Sequence, residues 1–199
     1  MADIAFFDFD GTITNADTFT KFVYFATDPT ILKKGKFLLA PYIIGYKLKL
    51  VSGSTIRSKV FKLGFKGRLE QEIKKIGNEY SLNFIPTVLR TSTMERIQWH
   101  KNQKHKIVVV SASIDLYLKP WCDQHNLDLI CSEAEILNGV LTGNYVNKDC
   151  SGLIKKNRIL KNYNLANYNE IYVYGDTVED MEMLSLGTQK IYRWKPYLR

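Results

Sequence analysis

The stretch AFFDFDGTITNAD, residues 5–17, holds aspartates at 8, 10 and 17, and the first of them closes a nearly pure apolar run. Two carboxylates on alternate residues of an extended segment project to the same side. Further along, VVVSAS carries Ser111, CSGLIKK carries Lys155 and Lys156, and YVYGDTVED carries Asp176 and Asp180. These residue types suit phosphoryl transfer. Carboxylates are hard oxygen ligands that favour Mg²⁺ over zinc. Mg²⁺ and a lysine together neutralise a phosphoryl group, and a serine hydroxyl holds one of its oxygens. One aspartate of the DxD pair attacks phosphorus and forms an acyl phosphate. Its neighbour protonates the leaving alcohol and then activates water. Gly11 lets the chain turn sharply and bring backbone amides near the phosphate.

The elements that must position these residues follow from the apolar runs. Residues 3–8, 106–111, 127–132, 170–176 and 188–194 read as strands, with helices over about 114–125, 152–163 and 178–186. Continuous apolar runs of this length suit a parallel sheet covered on both faces. The alternation predicts an α/β fold, a doubly wound Rossmann-like parallel sheet. Such sheets bind ligands beyond the carboxyl ends of their strands, where Asp8, Asp10, Ser111 and Asp176 all fall. An Asn-Gly pair in EAEILNGVLTGNY predicts a small β-hairpin. Each residue also has a plain structural use when taken alone. Asp10-Gly11 makes a turn, Ser111 or Asp176 caps a helix, and Asp180, Lys155 or Lys156 sits on a surface. Their order in one chain favours the catalytic reading.

Residues 17–103 break the alternation, and amphipathic helices are expected there with breaks near Pro29, Pro41, Gly53, Gly67 and Pro86. This is too long for an ordinary crossover. A helical cap over 15–95, inserted after the first strand, is expected, with 1–14 and 96–199 forming the catalytic core. The formal charge of +8 is concentrated here: Pro29 to Leu69 holds ten Lys or Arg and no Asp or Glu. That leaves 18 bases against 20 acids elsewhere. The segment should face something anionic. KFLLAPYIIGY, residues 36–46, is too short to span a bilayer. It either packs within the cap or lies on a membrane surface with its flanking lysines.

DFDGT at 8–12, the serine after VVV, CSGLIK and GDTVED together resemble the ordered motifs of the haloacid dehalogenase-like phosphatase superfamily. The helical insert resembles its phosphoserine phosphatase-like branch, and the likeness covers essentially the whole chain. The resemblance implies that Asp8 is the nucleophile and a Mg²⁺ ligand. It implies that Asp10 is the general acid/base and binds the metal through its carbonyl. Asp176 would ligate Mg²⁺, and Asp180 would support the metal's water shell. The phosphate would be held by Ser111, Ala112, Gly11, Thr12 and Lys155. Lys156 is the neighbour that competes with Lys155, and Ser113 competes with Ser111.

The substrate is less legible. Asp17 falls where phosphoserine phosphatases hold the substrate's amino group, and Arg57 and Lys59 are candidates for a carboxylate. The apolar and basic start of the cap resembles that of bacterial phosphatidylglycerophosphate phosphatases, so lipid phosphate is the alternative to a small soluble phosphate monoester. Receiver domains also combine an Asp cluster, Ser/Thr and Lys, but they lack a cap of this length. A basic anion- or nucleic-acid-binding module is the other class, and no RNA- or DNA-binding motif supports it. Cys122, Cys131 and Cys150 lack CxxC spacing and the histidines lack HExxH spacing, so no zinc site is expected. Met1 to Asp10 holds three acids and no base, unlike a secretory leader. A cytoplasmic protein is expected, with peripheral contact at the inner face of a membrane as an added possibility.

Overall fold

A computed structural model describes residues 2–197. Its centre is a six-stranded sheet in the order β3-β2-β1-β6-β7-β8. The strands are β1 (Ala2–Phe7), β2 (Lys106–Ile114), β3 (Asp128–Ser132), β6 (Tyr168–Gly175), β7 (Gln189–Tyr192) and β8 (Lys195–Pro196). All neighbours are parallel except the last pair. Phe7, the last residue of β1, is in register with Val109 on one side and Tyr174 on the other. The chain ends of β1, β2 and β6 therefore meet along one edge, where Asp8, Ser111 and Asp176 follow. The apolar residues of β1 from Ile4 onward are fully buried on both faces, which explains the unbroken apolar run.

Ala134–Leu137 (β4) and Val140–Tyr145 (β5) form a separate hairpin. Its turn, Asn138-Gly139, has positive φ at both residues, as the Asn-Gly pair requires. Helices α6 (Asp115–Gln124), α7 (Leu153–Asn162) and α8 (Met181–Leu184) follow β2, the hairpin and β6.

Between β1 and β2 lie α1 (Thr18–Ala26), α2 (Pro29–Lys47), α3 (Gly53–Phe65), α4 (Glu70–Asn83) and α5 (Thr91–Asn102). Asp17, Asp28 and Ser52 cap α1, α2 and α3 by accepting backbone N–H bonds. The insert does not have a core of its own. Phe22, Phe61, Phe65 and Tyr80 from α1, α3 and α4 join one buried cluster with Phe9, Tyr117 and Trp121. Helix α2 differs, because Gly35 is its only buried residue. Among the described residues, no helix is long and apolar enough to cross a membrane.

Three local expectations are corrected. Helix α2 runs through Pro41 without a break. Proline there removes one backbone hydrogen bond, but it sits on an exposed face where water can satisfy the orphaned carbonyl. Strand β2 continues past Ser111 to Ile114 through an irregularity in its pairing with β3. Beyond β6, the helix expected to reach 186 is a short turn at Val178–Asp180 followed by α8 ending at Leu184.

Candidate active site

The site is built at the carboxyl edge of β1, β2 and β6, under the insert. Asp8 leaves β1 with its N–H bonded to the Tyr174 carbonyl of β6 at 2.9 Å. Lys155, in the first turn of α7, is buried and reaches two carboxylates. Its Nζ lies 2.5 Å from Asp8 Oδ1 and 2.6 Å from Asp180 Oδ1. Lys156 points elsewhere, to Glu182 and to Ser185 Oγ at 3.0 Å. The lysine at the site is therefore Lys155.

Asp10 is held by three donors. Its Oδ1 accepts from the Thr18 N–H at 2.7 Å and the Thr18 hydroxyl at 2.5 Å, and its Oδ2 accepts from Ser113 Oγ at 2.5 Å. Thr18 opens α1, so the start of the insert fixes the rotamer of this carboxylate. Ser111 Oγ accepts the Ser113 N–H at 3.0 Å. The two serines thus divide the work: Ser111 lines the cleft beside Asp8, and Ser113 orients Asp10. Gly11 has φ of +85°, and a Cβ there would overlap the Asp176 carboxylate. Thr12 Oγ1 donates to Asp176 Oδ1 at 3.2 Å.

Burial raises the pKa of Asp8 well above the ordinary carboxylate range, and the Asp180 charge adds to this against the pull of Lys155. Burial also lifts Asp10 to about 6, opposed by the bonds from Ser113 and Thr18. Asp176 is raised by burial and then by Asp180. For Asp180, burial alone would raise the pKa, but the Lys155 ammonium and the Thr177 donors outweigh it and hold it low. Burial opposes the charge on Lys155, and Asp180 and Asp8 more than restore it.

Carboxylate oxygens of Asp8, Asp176 and Asp180 all lie within 4.8 Å of one another. One ammonium faces these three carboxylates. Asp180 is already committed: Oδ1 takes Lys155, and Oδ2 takes the N–H groups of Asp176 and Thr177 and the Thr177 hydroxyl. Asp8 Oδ2 and Asp176 Oδ2 receive no hydrogen bond among the described residues. A hard divalent cation fits this donor set in both charge and chemistry.

Between this edge and the insert is a cleft of about 250 Å³, lined by Asp8, Asp10, Ser111, Ala112, Ser113 and Lys155 on one side. Asp17, Phe19, Thr20, Tyr46, Ile56, Arg57 and Val60 line the other. Asp17 is exposed and caps α1 through the Thr20 N–H at 2.9 Å. Arg57 is not free to take a substrate carboxylate. Its guanidinium spans Asp149 at 2.8 and 2.9 Å and Glu179 at 2.9 Å, clasping α3 to two loops of the sheet layer. Lys59 does not line the cleft and stacks over the Tyr42 ring at 4.0 Å. Thr18, Asp149 and Glu179 were not singled out from the sequence. Their partners lie 8, 92 and 122 residues away, and no local spacing marks them.

The model of the haloacid dehalogenase-like hydrolases matches residues 5–185. Protein CicA of Caulobacter vibrioides is 28% identical over 193 residues, covering 94% of this chain and 84% of that protein. Among solved structures, a protein of unknown function from Bordetella pertussis Tohama I superposes with a TM-score of 0.77 at 18% identity, over 96% of this chain and 90% of that one. A substrate-bound phosphoserine phosphatase superposes with a TM-score of 0.67 at 19% identity, over 96% of this chain and 86% of that one. The family match spans the elements that carry Asp8, Ser111, Lys155 and Asp180, and the chain belongs to the haloacid dehalogenase-like hydrolases.

Proposed function

We propose that the protein is a Mg²⁺-dependent phosphomonoesterase that works through an aspartyl-phosphate on Asp8. The observation that carries this reading is the pair of carboxylates at the sheet edge, held in opposite ways. Asp8 Oδ1 is pinned by Lys155 while Oδ2 is left open, and Asp10 is clamped by Thr18 and Ser113. One group is free to attack, and the other is fixed to move a proton.

In the first step, a carboxylate oxygen of Asp8 attacks phosphorus and the ester P–O bond breaks. The leaving oxygen takes the proton from Asp10, whose raised pKa keeps a protonated fraction near neutral pH. In the second step, Asp10 takes a proton from water, whose oxygen attacks the phosphorus of the acyl phosphate. The bond between phosphorus and the Asp8 oxygen breaks, inorganic phosphate leaves, and Asp8 is restored. Lys155 neutralises charge on Asp8 and the transferred group, and the Ser111 hydroxyl and the Gly11–Thr12 and Ala112 backbone hold phosphoryl oxygens. Mg²⁺ bound by Asp8 and Asp176 would supply Lewis-acid neutralisation of the phosphoryl charge. The insert covers the cleft and limits water to the attacking molecule.

Phosphoserine phosphatase likeness extends to this substrate class as a small phosphorylated molecule. The Arg57 clasp argues against phosphoserine itself, because the cation that would meet its carboxylate is already paired. The test is phosphate release from p-nitrophenyl phosphate, phosphoserine, sugar phosphates and nucleotides, with and without Mg²⁺. Release that requires Mg²⁺ supports the reading. Absence of release from every ester under both conditions contradicts it.

A further inference from the structure

A second depression adjoins the catalytic cleft, and its character is different. It is a groove of about 210 Å³ between α1, α2 and α3, lined by Val23, Leu32, Leu39, Ile43 and Leu63. Thr20, Ile56 and Val60 line both this groove and the cleft, so the two adjoin. Leu32, Leu39, Ile43 and Leu63 remain only partly buried. The mouth carries Tyr24, half exposed, with Lys36 Nζ 5.5 Å over its ring. A polar leaving group finds few partners here, since the groove's only charged side chain is Lys36 at the rim. Apolar surface left open beside a reacting centre stabilises an apolar part of the ligand.

The roof of this groove, α2, has a second apolar face. Phe37 is 84% exposed, and Leu38 and Ile44 are exposed with it, among Lys33, Lys34 and Lys47. An amphiphile in an anionic surface would be met by this same helix.

Resting on the phosphatase reading, we infer that the groove takes the hydrocarbon tail of an amphiphilic phosphate monoester whose phosphate sits at Asp8. The tail leaves the cleft past Thr20, Ile56 and Val60 and runs along α2. Specificity then comes from burying methylenes, with Arg57 serving as a clasp.

The experiment is a series of n-alkyl phosphates from ethyl to decyl, each used below its critical micelle concentration with Mg²⁺ present. kcat/KM should rise by up to about fourfold for each methylene buried, until the groove is filled. Leu39→Trp, placed to fill the groove, should flatten that rise. A wild-type protein that hydrolyses ethyl phosphate with no gain on longer chains overturns the groove and leaves the phosphatase reading standing. A rise that persists unchanged in folded Leu39→Trp also overturns it. No hydrolysis of any alkyl phosphate by protein that releases phosphate from p-nitrophenyl phosphate overturns the groove alone. No release from any ester overturns the phosphatase reading, and the groove's role falls with it.

Discussion

The sheet layer and the helical insert use charge in opposite ways. At the sheet edge, charge is buried and paired: Lys155 is enclosed between Asp8 and Asp180, all three nearly inaccessible. In the insert, charge is turned outward. Lys33, Lys34, Lys36, Lys47 and Lys49 are exposed, and from Pro29 to Leu69 no acid balances them. Only one cation of the insert lines the cleft, Arg57, and two carboxylates of the sheet layer already hold it. The basic character of the insert therefore does not reach the reacting phosphate. It describes an outer surface, while the groove beside the cleft is lined mostly by apolar side chains. Buried charges interact strongly at short range because little solvent screens them, whereas exposed charges are screened.

The contrast can be broken most severely at Asp8. Asp8→Asn should lower turnover by about four orders of magnitude or more, the scale seen when a nucleophile is removed. Its melting temperature should stay near that of the wild type, because the amide keeps the shape and an acceptor for Lys155. Retained turnover would remove Asp8 from the mechanism.

The clasp between the two regions comes next. Arg57→Gln strands Asp149, whose side chain is 4% exposed, and should cost roughly 1–3 kcal/mol of stability, less than a fully buried pair because Arg57 is partly solvated. KM should rise more than kcat falls, as expected if the clasp sets closure of the insert and does no chemistry. Thermal melts and steady-state kinetics check both. An unchanged KM would argue that the insert holds its place without Arg57.

A third effect belongs to the sheet layer alone. His100 is fully buried, bonded to Tyr174 OH at 2.9 Å and His105 Nδ1 at 2.8 Å. Burial lowers its pKa to about 3 from 6.5. The unfolded chain binds this proton first as pH falls. Stability from neutral His100 is therefore full above about 6.5 and is lost between there and about 3, by at most about 1.4 kcal/mol per pH unit. Melting temperature followed from pH 7 to 4.5 should fall more steeply in the wild type than in His100→Gln. Equal slopes would assign acid loss to other groups.

The smallest effect is expected at the outer face of the insert. Wild-type protein should sediment with phosphatidylglycerol vesicles at low salt and far less with phosphatidylcholine. Replacing Lys33, Lys34 and Lys36 by Gln should weaken this by about 1 kcal/mol per lysine. A wild type that ignores anionic vesicles would leave the exposed Phe37 and Leu38 without a membrane role.

The same division explains what could be read in the sequence. Strand β1 and the DxDGT turn were legible because burial on both faces leaves an unbroken apolar run, and only a sharp turn follows it. The positions of Ser111 and Asp176 were legible because strand ends are where such runs stop, whereas Lys155, in the first turn of α7, was marked by the CSGLIK motif. The hairpin was legible from Asn138-Gly139 alone. The clamp on Asp10 was not, since Thr18 and Ser113 look like any helix start and strand end. The Arg57 clasp was not, since its partners come from loops far along the chain. Nor was the shared apolar core of insert and sheet, because Phe22, Phe65 and Tyr80 show a helical apolar face without showing what covers it. Pro41 misled for a physical reason: an exposed helix tolerates a proline that a buried one does not.

The most direct test of the central claim is to trap the acyl phosphate. Wild-type protein would be mixed with Mg²⁺ and a phosphate ester radiolabelled in its phosphoryl group, quenched in acid, and digested for mass mapping. The account predicts label on the peptide carrying Asp8, released by hydroxylamine and absent from Asp8→Asn. Steady turnover with no label on Asp8, or label on another residue, would contradict it.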